Sequence, residues 1–261
     1  EQEGPFFPVH DFFPKFTREM FDANRHWLEP RYVDPATSKI VLAIQSYVVR
    51  TKHHTILIDS CVGNHKPRPS RAHWHMMDSP RYMTNLAALG LGVEDIDVVM
   101  CTHLHVDHTG WNTRLENGRW VPTFPNARYL FADRELAFWT ERQANDPASC
   151  PWITESVLPI VAAGRADQVR SDHAFDDHVR LIPTPGHTID HFSVEVGAAG
   201  CGAAASRFEG LSFRFEPAGA MCCGGGYAGS SGSSGLSVTA RPLRGCGRAP
   251  SRRKGRRRHA R

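Results

Sequence analysis

The sequence of 261 residues has no CxxC pair, no long apolar run and no basic start that leads into an apolar stretch. Without CxxC pairs, neither a zinc knuckle nor a disulfide framework is indicated, although seven cysteines are present. Without a run of about 18 apolar residues, no membrane span is expected. The start does not match a secretory signal. We therefore expect a cytoplasmic chain with no membrane role.

Aspartate is absent from residues 197–261, which hold two acids against 12 Lys and Arg and contain 14 of the 22 glycines. The runs AAGCGAAA, MCCGGGYAGSSGSSG and RRKGRRRHAR show no helical or strand period. We expect this segment to be a low-complexity basic tail, either disordered or read from a shifted frame. The formal net charge of +4 then leaves residues 1–196 mildly acidic, and we interpret them as the folded domain.

Strand and helix patterns alternate within residues 1–196. Apolar runs rich in Val and Ile predict strands at 39–50, 54–60, 96–102, 127–132, 179–188 and 191–196. Capping residues and periodicity predict helices at 79–88, 133–144 and 153–164, the last interrupted near Pro159. Interleaved strands and helices predict an α/β sheet protein.

Three histidines and an aspartate fall within six positions of CTHLHVDHTG, residues 101–110, at the end of a predicted strand. Because residues i and i+2 of an extended segment point the same way, His103 and His105 can bind one metal ion together. Asp107 and His108 follow as the chain turns and can face a second ion nearby. The alternative interpretation is a His-rich surface loop.

Two further strand ends carry polar residues of the same kind. TPGHTIDH, residues 184–191, places His187 in a turn, where it can complete a set of three histidines on the first ion. The predicted strand ILIDS ends at Asp59. A capping histidine and a turn aspartate are the alternatives for these two positions.

HLHVDH, the later PGHT and the earlier ILIDS resemble the metallo-β-lactamase fold superfamily of metallohydrolases, over roughly residues 35–196. The resemblance implies a four-layer αββα sandwich with a two-metal site at one edge of the sheets. It implies a first metal on His103, His105 and His187, a second on Asp107 and His108, and Asp59 beside these ligands to orient them. It implies zinc as cofactor, one or two ions, with iron or manganese as alternatives.

The chain departs from the family where its members usually add a bridging Asp and a last His. Residues 197–261 contain no Asp, and their only histidine is His259. Asp190 and His191 lie too close to His187 to take the bridging place in the family geometry. We therefore expect a fold incomplete at its C-terminal part, at most about one tightly bound metal, slow hydrolysis, and exposed sheet edges that favour self-association.

The leading hypothesis is metal-dependent hydrolysis of a small ester or lactone by a metal-bound hydroxide, which Asp107 orients. General similarity to lactonase-like and organophosphate-hydrolase-like members favours that substrate class. Candidates for a substrate wall are Trp111, Trp120 and Phe124, with ordinary packing as the alternative. The competing hypotheses are an inactive fold relic, an iron enzyme of the same fold that uses oxygen, and a nucleic-acid binder acting through Arg252–Arg258. We favour a solvated tail and expect no nucleic-acid partner.

Overall fold

The computed structural model describes residues 1–197 and the backbone of 203–205. The strands are β1 (Gln2–Pro8), β2 (Val33–Asp34), β3 (Lys39–Ile44), β4 (Tyr47–Arg50), β5 (Thr55–Ile58), β6 (Val98–Met100), β7 (Thr113–Glu116), β8 (Arg119–Pro122), β9 (Arg128–Ala132), β10 (Ala166–Val169), β11 (Val179–Pro183), β12 (Phe192–Val196) and β13 (Ala203–Ala205). The helices are α1 (Val9–Phe12), α2 (Arg18–Leu28), α3 (Arg81–Ala88), α4 (Asp133–Asn145), α5 (Pro151–Ser156) and α6 (Leu158–Ala162). Most of the expected tail, including Arg252–Arg258, lies outside the described residues.

Two sheets pack face to face at the centre of the described chain. The larger sheet has the order β10-β9-β6-β5-β4, parallel except for β4, and the smaller has the antiparallel order β11-β12-β13. Because side chains alternate along a strand, Ile56 and Ile58 of β5 meet Leu181 and Phe192 of the smaller sheet. Leu57 points to the opposite face of the larger sheet, into a separate core.

Helices α3 to α6 cover that opposite face. Leu86, Leu136, Ile153 and Ile160 come from these four helices and share one buried cluster with Leu57. The described residues thus show a helix layer and two sheets, three of the four layers of an αββα sandwich. Among the described helices, none is long and apolar enough to cross a membrane.

The predicted strand 39–50 is wrong as a single element, because β3 and β4 belong to different sheets. β3 lies between β1 and β2 in a three-stranded sheet, whereas β4 forms the predicted hairpin with β5. The chain passes between the sheets at Gln45 and Ser46, and the buried Ser46 hydroxyl lies 3.1 Å from the Tyr82 hydroxyl. An apolar run alone does not reveal such a change of sheet.

The other predicted elements are present, several of them shorter than predicted. The predicted helix 153–164 is divided into α5 and α6 at Val157, two residues before Pro159. Proline lacks the N–H that would continue a helix, which explains the division. Elements missed by the sequence analysis include β1, α2, β10 and the hairpin of β7 and β8.

Candidate metal centre

The candidate residues meet at one edge of the central sheets. Asp59 directly follows β5, and the loop containing His103 follows β6, a parallel neighbour of β5. Parallel strands end at the same edge of a sheet, so the two segments are brought together. The loop between β11 and β12 carries His187 to this edge, and Phe192 N donates a hydrogen bond to Thr102 O at 3.1 Å.

Three imidazoles converge within this edge. His103 Nε2 lies 3.1 Å from His105 Nδ1, which lies 3.0 Å from His187 Nε2. One ligand atom from each of the three falls within 4.8 Å of the others. A tetrahedral zinc ion with nitrogens at its usual bond length separates them by about 3.3 Å. The spacing therefore fits three ligands of one ion.

The protonation of these imidazoles suits metal binding. Burial lowers the pKa of His103, and the nearby imidazoles lower it further. Burial, followed by the charge of His187, lowers the pKa of His105 to about 4. Burial and then His108 lower the pKa of His187. All three rings are neutral at pH 7, which is the form that coordinates a metal.

Asp107 and His108 form a second group beside the three histidines. His108 Nε2 lies 3.3 Å from Asp107 Oδ2, yet this buried nitrogen makes no hydrogen bond within the described chain. Burial alone would lower the pKa of His108, but the carboxylates of Asp107 and Asp59 outweigh it and raise the pKa to about 9. The space between Asp107 and His108 therefore favours positive charge.

Asp59 holds both the His108 ring and the strand end. Its Oδ2 accepts a hydrogen bond from His108 Nδ1 at 2.8 Å, so Nε2 is the nitrogen directed toward Asp107. Its Oδ1 accepts from Thr102 N at 2.8 Å and from Thr102 Oγ1 at 3.0 Å. Asp59 is buried with φ of 56°, a left-handed conformation that Asp and Asn tolerate better than most residues.

A cavity of about 800 Å³ opens onto His105, Asp107 and His108. Six aromatic side chains contribute to its wall, and they are Phe7, Phe12, Tyr32, Tyr47, Trp74 and Trp152. Arg68 and Arg71 also line it. The cavity is large enough for a small organic substrate beside the candidate metal ligands.

The expected substrate wall at Trp111, Trp120 and Phe124 is corrected by this geometry, since none of the three lines the cavity. Trp111 and Phe124 are buried in the core under the helices. The Trp120 ring is covered by the Lys66 ammonium, 3.7 Å from the ring centroid. These aromatic residues stabilise the fold around the loop, which is the packing alternative.

Glu135 is the main residue of this region that the sequence analysis missed. It is fully buried in α4, and its carboxylate contacts the backbone of both histidine loops. A glutamate in a helix with other charged residues normally indicates a solvated face, so the sequence carried no local signal for it.

Comparison with known proteins identifies the family and agrees with the fold. A family model described as the metallo-beta-lactamase superfamily matches residues 40–204, more than half of the chain, and the chain belongs to this superfamily. It is similar to a solved structure described as hydrolase AbOPH in the beta lactamase superfamily, with 23% identity and a TM-score of 0.60, over 78% of this chain and 67% of that one. It is also similar to a probable metal-dependent hydrolase from Staphylococcus aureus, with 20% identity and a TM-score of 0.54, over 69% of this chain and 63% of that one. At these identities the likeness shows the fold, and the chain spans about two thirds of the length of these structures.

Proposed function

We propose that this chain is a metal-dependent hydrolase of a small ester or lactone. The observation that carries the proposal is the set of three neutral imidazoles from His103, His105 and His187, gathered within 4.8 Å. Zinc suits three imidazole nitrogens, and iron and manganese are the alternatives. When bound, such an ion polarises a carbonyl oxygen and lowers the pKa of water.

The side chains around the three histidines have separate tasks in this proposal. Asp107 lines the cavity together with His105, and its carboxylate can orient a water molecule and accept its proton. His108, held by Asp59, sets the charge beside Asp107. The six aromatic side chains of the cavity wall can accommodate the apolar part of an ester or lactone.

A second ion would rest on Asp107 and His108 within the described residues. One carboxylate balances little of the charge of an additional dication, so we expect one tightly held ion and slow turnover. The two similar structures are described as hydrolases, which supports the reaction class. We also propose a cytoplasmic location, which the buried free thiols of Cys61, Cys101 and Cys150 support. As partners we propose further copies of this chain and no nucleic acid.

Hydrolysis of a chromogenic aryl ester and of a γ-lactone tests the proposal. The metal-depleted chain should be inactive, zinc should restore activity, and His105→Ala should lower it by at least about 100-fold. His26→Ala is the matched control, because His26 is exposed on α2. Hydrolysis that persists in the metal-depleted chain, or in His105→Ala, would contradict the proposal.

A further inference from the structure

Glu135 joins the two loops that carry the three histidines. Its Oε1 accepts a hydrogen bond from Leu104 N at 3.2 Å, and its Oε2 accepts one from Asp190 N at 3.1 Å. Oε1 also accepts from Trp139 Nε1 at 2.8 Å, one turn further along α4. The side chain has no exposed surface, so these three donors take the place of water.

The positions of these backbone donors give the contact its meaning. Leu104 lies between His103 and His105 in the sequence, and Asp190 lies three residues after His187. The two loops are far apart in the chain, and α4 belongs to neither of them. A single carboxylate thus connects the two-histidine loop to the loop of the third histidine.

Two neighbouring tryptophans also contact the loop that carries His103 and His105. Trp152 Nε1 donates to Leu104 O at 2.7 Å, so both backbone groups of Leu104 are bound by helix side chains. The Trp139 ring packs edge-on against the His105 ring, with centroids 5.4 Å apart. The histidine loop is therefore fixed to α4 and α5, and Glu135 extends that support to the His187 loop.

Building on the proposed metal site, we propose that Glu135 is a positioning residue that sets the distance between these loops and so assembles the three-nitrogen site. It contacts the backbone of the loops and would not touch the ion. A buried carboxylate suits this task, because both of its oxygens accept hydrogen bonds and each can serve a different loop.

Substitution of Glu135 by glutamine should break its contact with the His187 loop while keeping its contact with the His105 loop. Glu135→Gln keeps the shape of the side chain but has a single acceptor oxygen. That oxygen is expected to stay with Leu104 N and Trp139 Nε1, which leaves the amide NH2 facing Asp190 N, donor against donor. The His187 loop should then be released while the His105 loop stays in place.

Cobalt(II) titration and amide hydrogen exchange of the full chain test this expectation. Glu135→Gln should weaken cobalt binding by about 10-fold to 100-fold and alter the visible absorption of the bound ion. His187→Ala should weaken binding strongly in the wild type but add little in the Glu135→Gln background, because the loop is already released. In the metal-free chain, the Asp190 amide should exchange faster and the Leu104 amide should not.

Glu141→Gln is the matched control, because Glu141 is exposed on the same helix and the change in charge is the same. The positioning role is overturned if Glu135→Gln binds cobalt as tightly as this control does, if its loss of affinity adds to that of His187→Ala, and if the Asp190 amide exchanges at the wild-type rate. A wild type that binds no cobalt overturns the metal site instead, whatever the exchange data show for the loop connection. Should Glu135→Gln fail to fold, Glu135→Asp serves in its place, because the shorter carboxylate cannot reach both loops and should show the same losses.

Discussion

Replacing Asp59 with Asn should lower the pKa of His108, which is about 9 in the wild type, so that the ring loses one of its two protons near neutral pH while every side chain stays in place. Asn has nearly the same shape and tolerates the φ of 56° at this position. Its single oxygen can keep the Thr102 hydrogen bonds of 2.8 and 3.0 Å. The amide NH2 then faces His108 Nδ1, which can accept a hydrogen bond from it only after losing its own proton. The remaining ring proton stays on Nε2, the nitrogen that is directed at Asp107.

The magnitude follows from what is lost. A buried hydrogen bond between charged partners contributes about 1.5–3 kcal/mol, and removal of such a partner from a ligand typically costs about 10-fold to 100-fold in metal affinity or activity. The pKa of His108, about 9 in the wild type, should fall because one of the two carboxylates that raise it is gone. We therefore expect ester hydrolysis to fall by about 10-fold to 100-fold.

Nitrogen-15 NMR of the histidine rings reports the protonation of each ring nitrogen directly, and it should be combined with ester hydrolysis and thermal unfolding. Asp97→Asn is the control, since the exposed Asp97 accepts a hydrogen bond from Thr55 N at the other end of β5 and Asn can keep that bond. An Asp59→Asn chain with the wild-type His108 pKa, ring protonation and activity would contradict this role of Asp59.

Two further predictions concern the support of the site. Burial lowers the pKa of Lys66 to about 7, well below its usual 10.5, so the unfolded chain binds a proton that the folded chain lacks between these values. Above neutral pH, the free energy of unfolding of the wild type should therefore rise by about 1.4 kcal/mol per pH unit relative to that of Lys66→Met. Urea unfolding of both chains at several pH values measures this difference. Free energies of unfolding that change with pH in parallel for the two chains would contradict the prediction. A Cβ at Gly110 would lie 1.9 Å from the Val62 backbone, whereas one at Gly118 meets nothing within 4 Å. Gly110→Ala should lower the free energy of unfolding by about 3 kcal/mol or more, and Gly118→Ala should lower it by about 1–2 kcal/mol. Equal losses of stability in thermal unfolding of the two variants would contradict this prediction.

The sequence located most of the central sheet because those strands are short, apolar and bounded by clear breaks. The hairpin of β7 and β8 was missed although Asn117 and Gly118 form a typical two-residue hairpin turn, both with positive φ. Its strands are mostly polar or half-exposed, so the apolar pattern was weak. The turn dipeptide was the signal that could have found it.

The candidate site was predictable in part for a similar physical reason. His103, His105 and His108 crowd one loop, and spacing alone suggested shared ligands. The substrate wall was assigned to the adjacent loop because of its aromatic residues, but these pack inward. The actual cavity wall draws on Phe7 and Trp74, which are distant in sequence and meet only in the folded chain. Glu135 was missed for the same reason.

Metal analysis of the purified chain, after loading with zinc and removal of the excess, tests directly whether His103, His105 and His187 hold one ion. We expect about one tightly held ion per chain, lost in His105→Ala and in His187→Ala and retained in His26→Ala. A wild type that retains no ion, or an ion that survives both ligand substitutions, would contradict it.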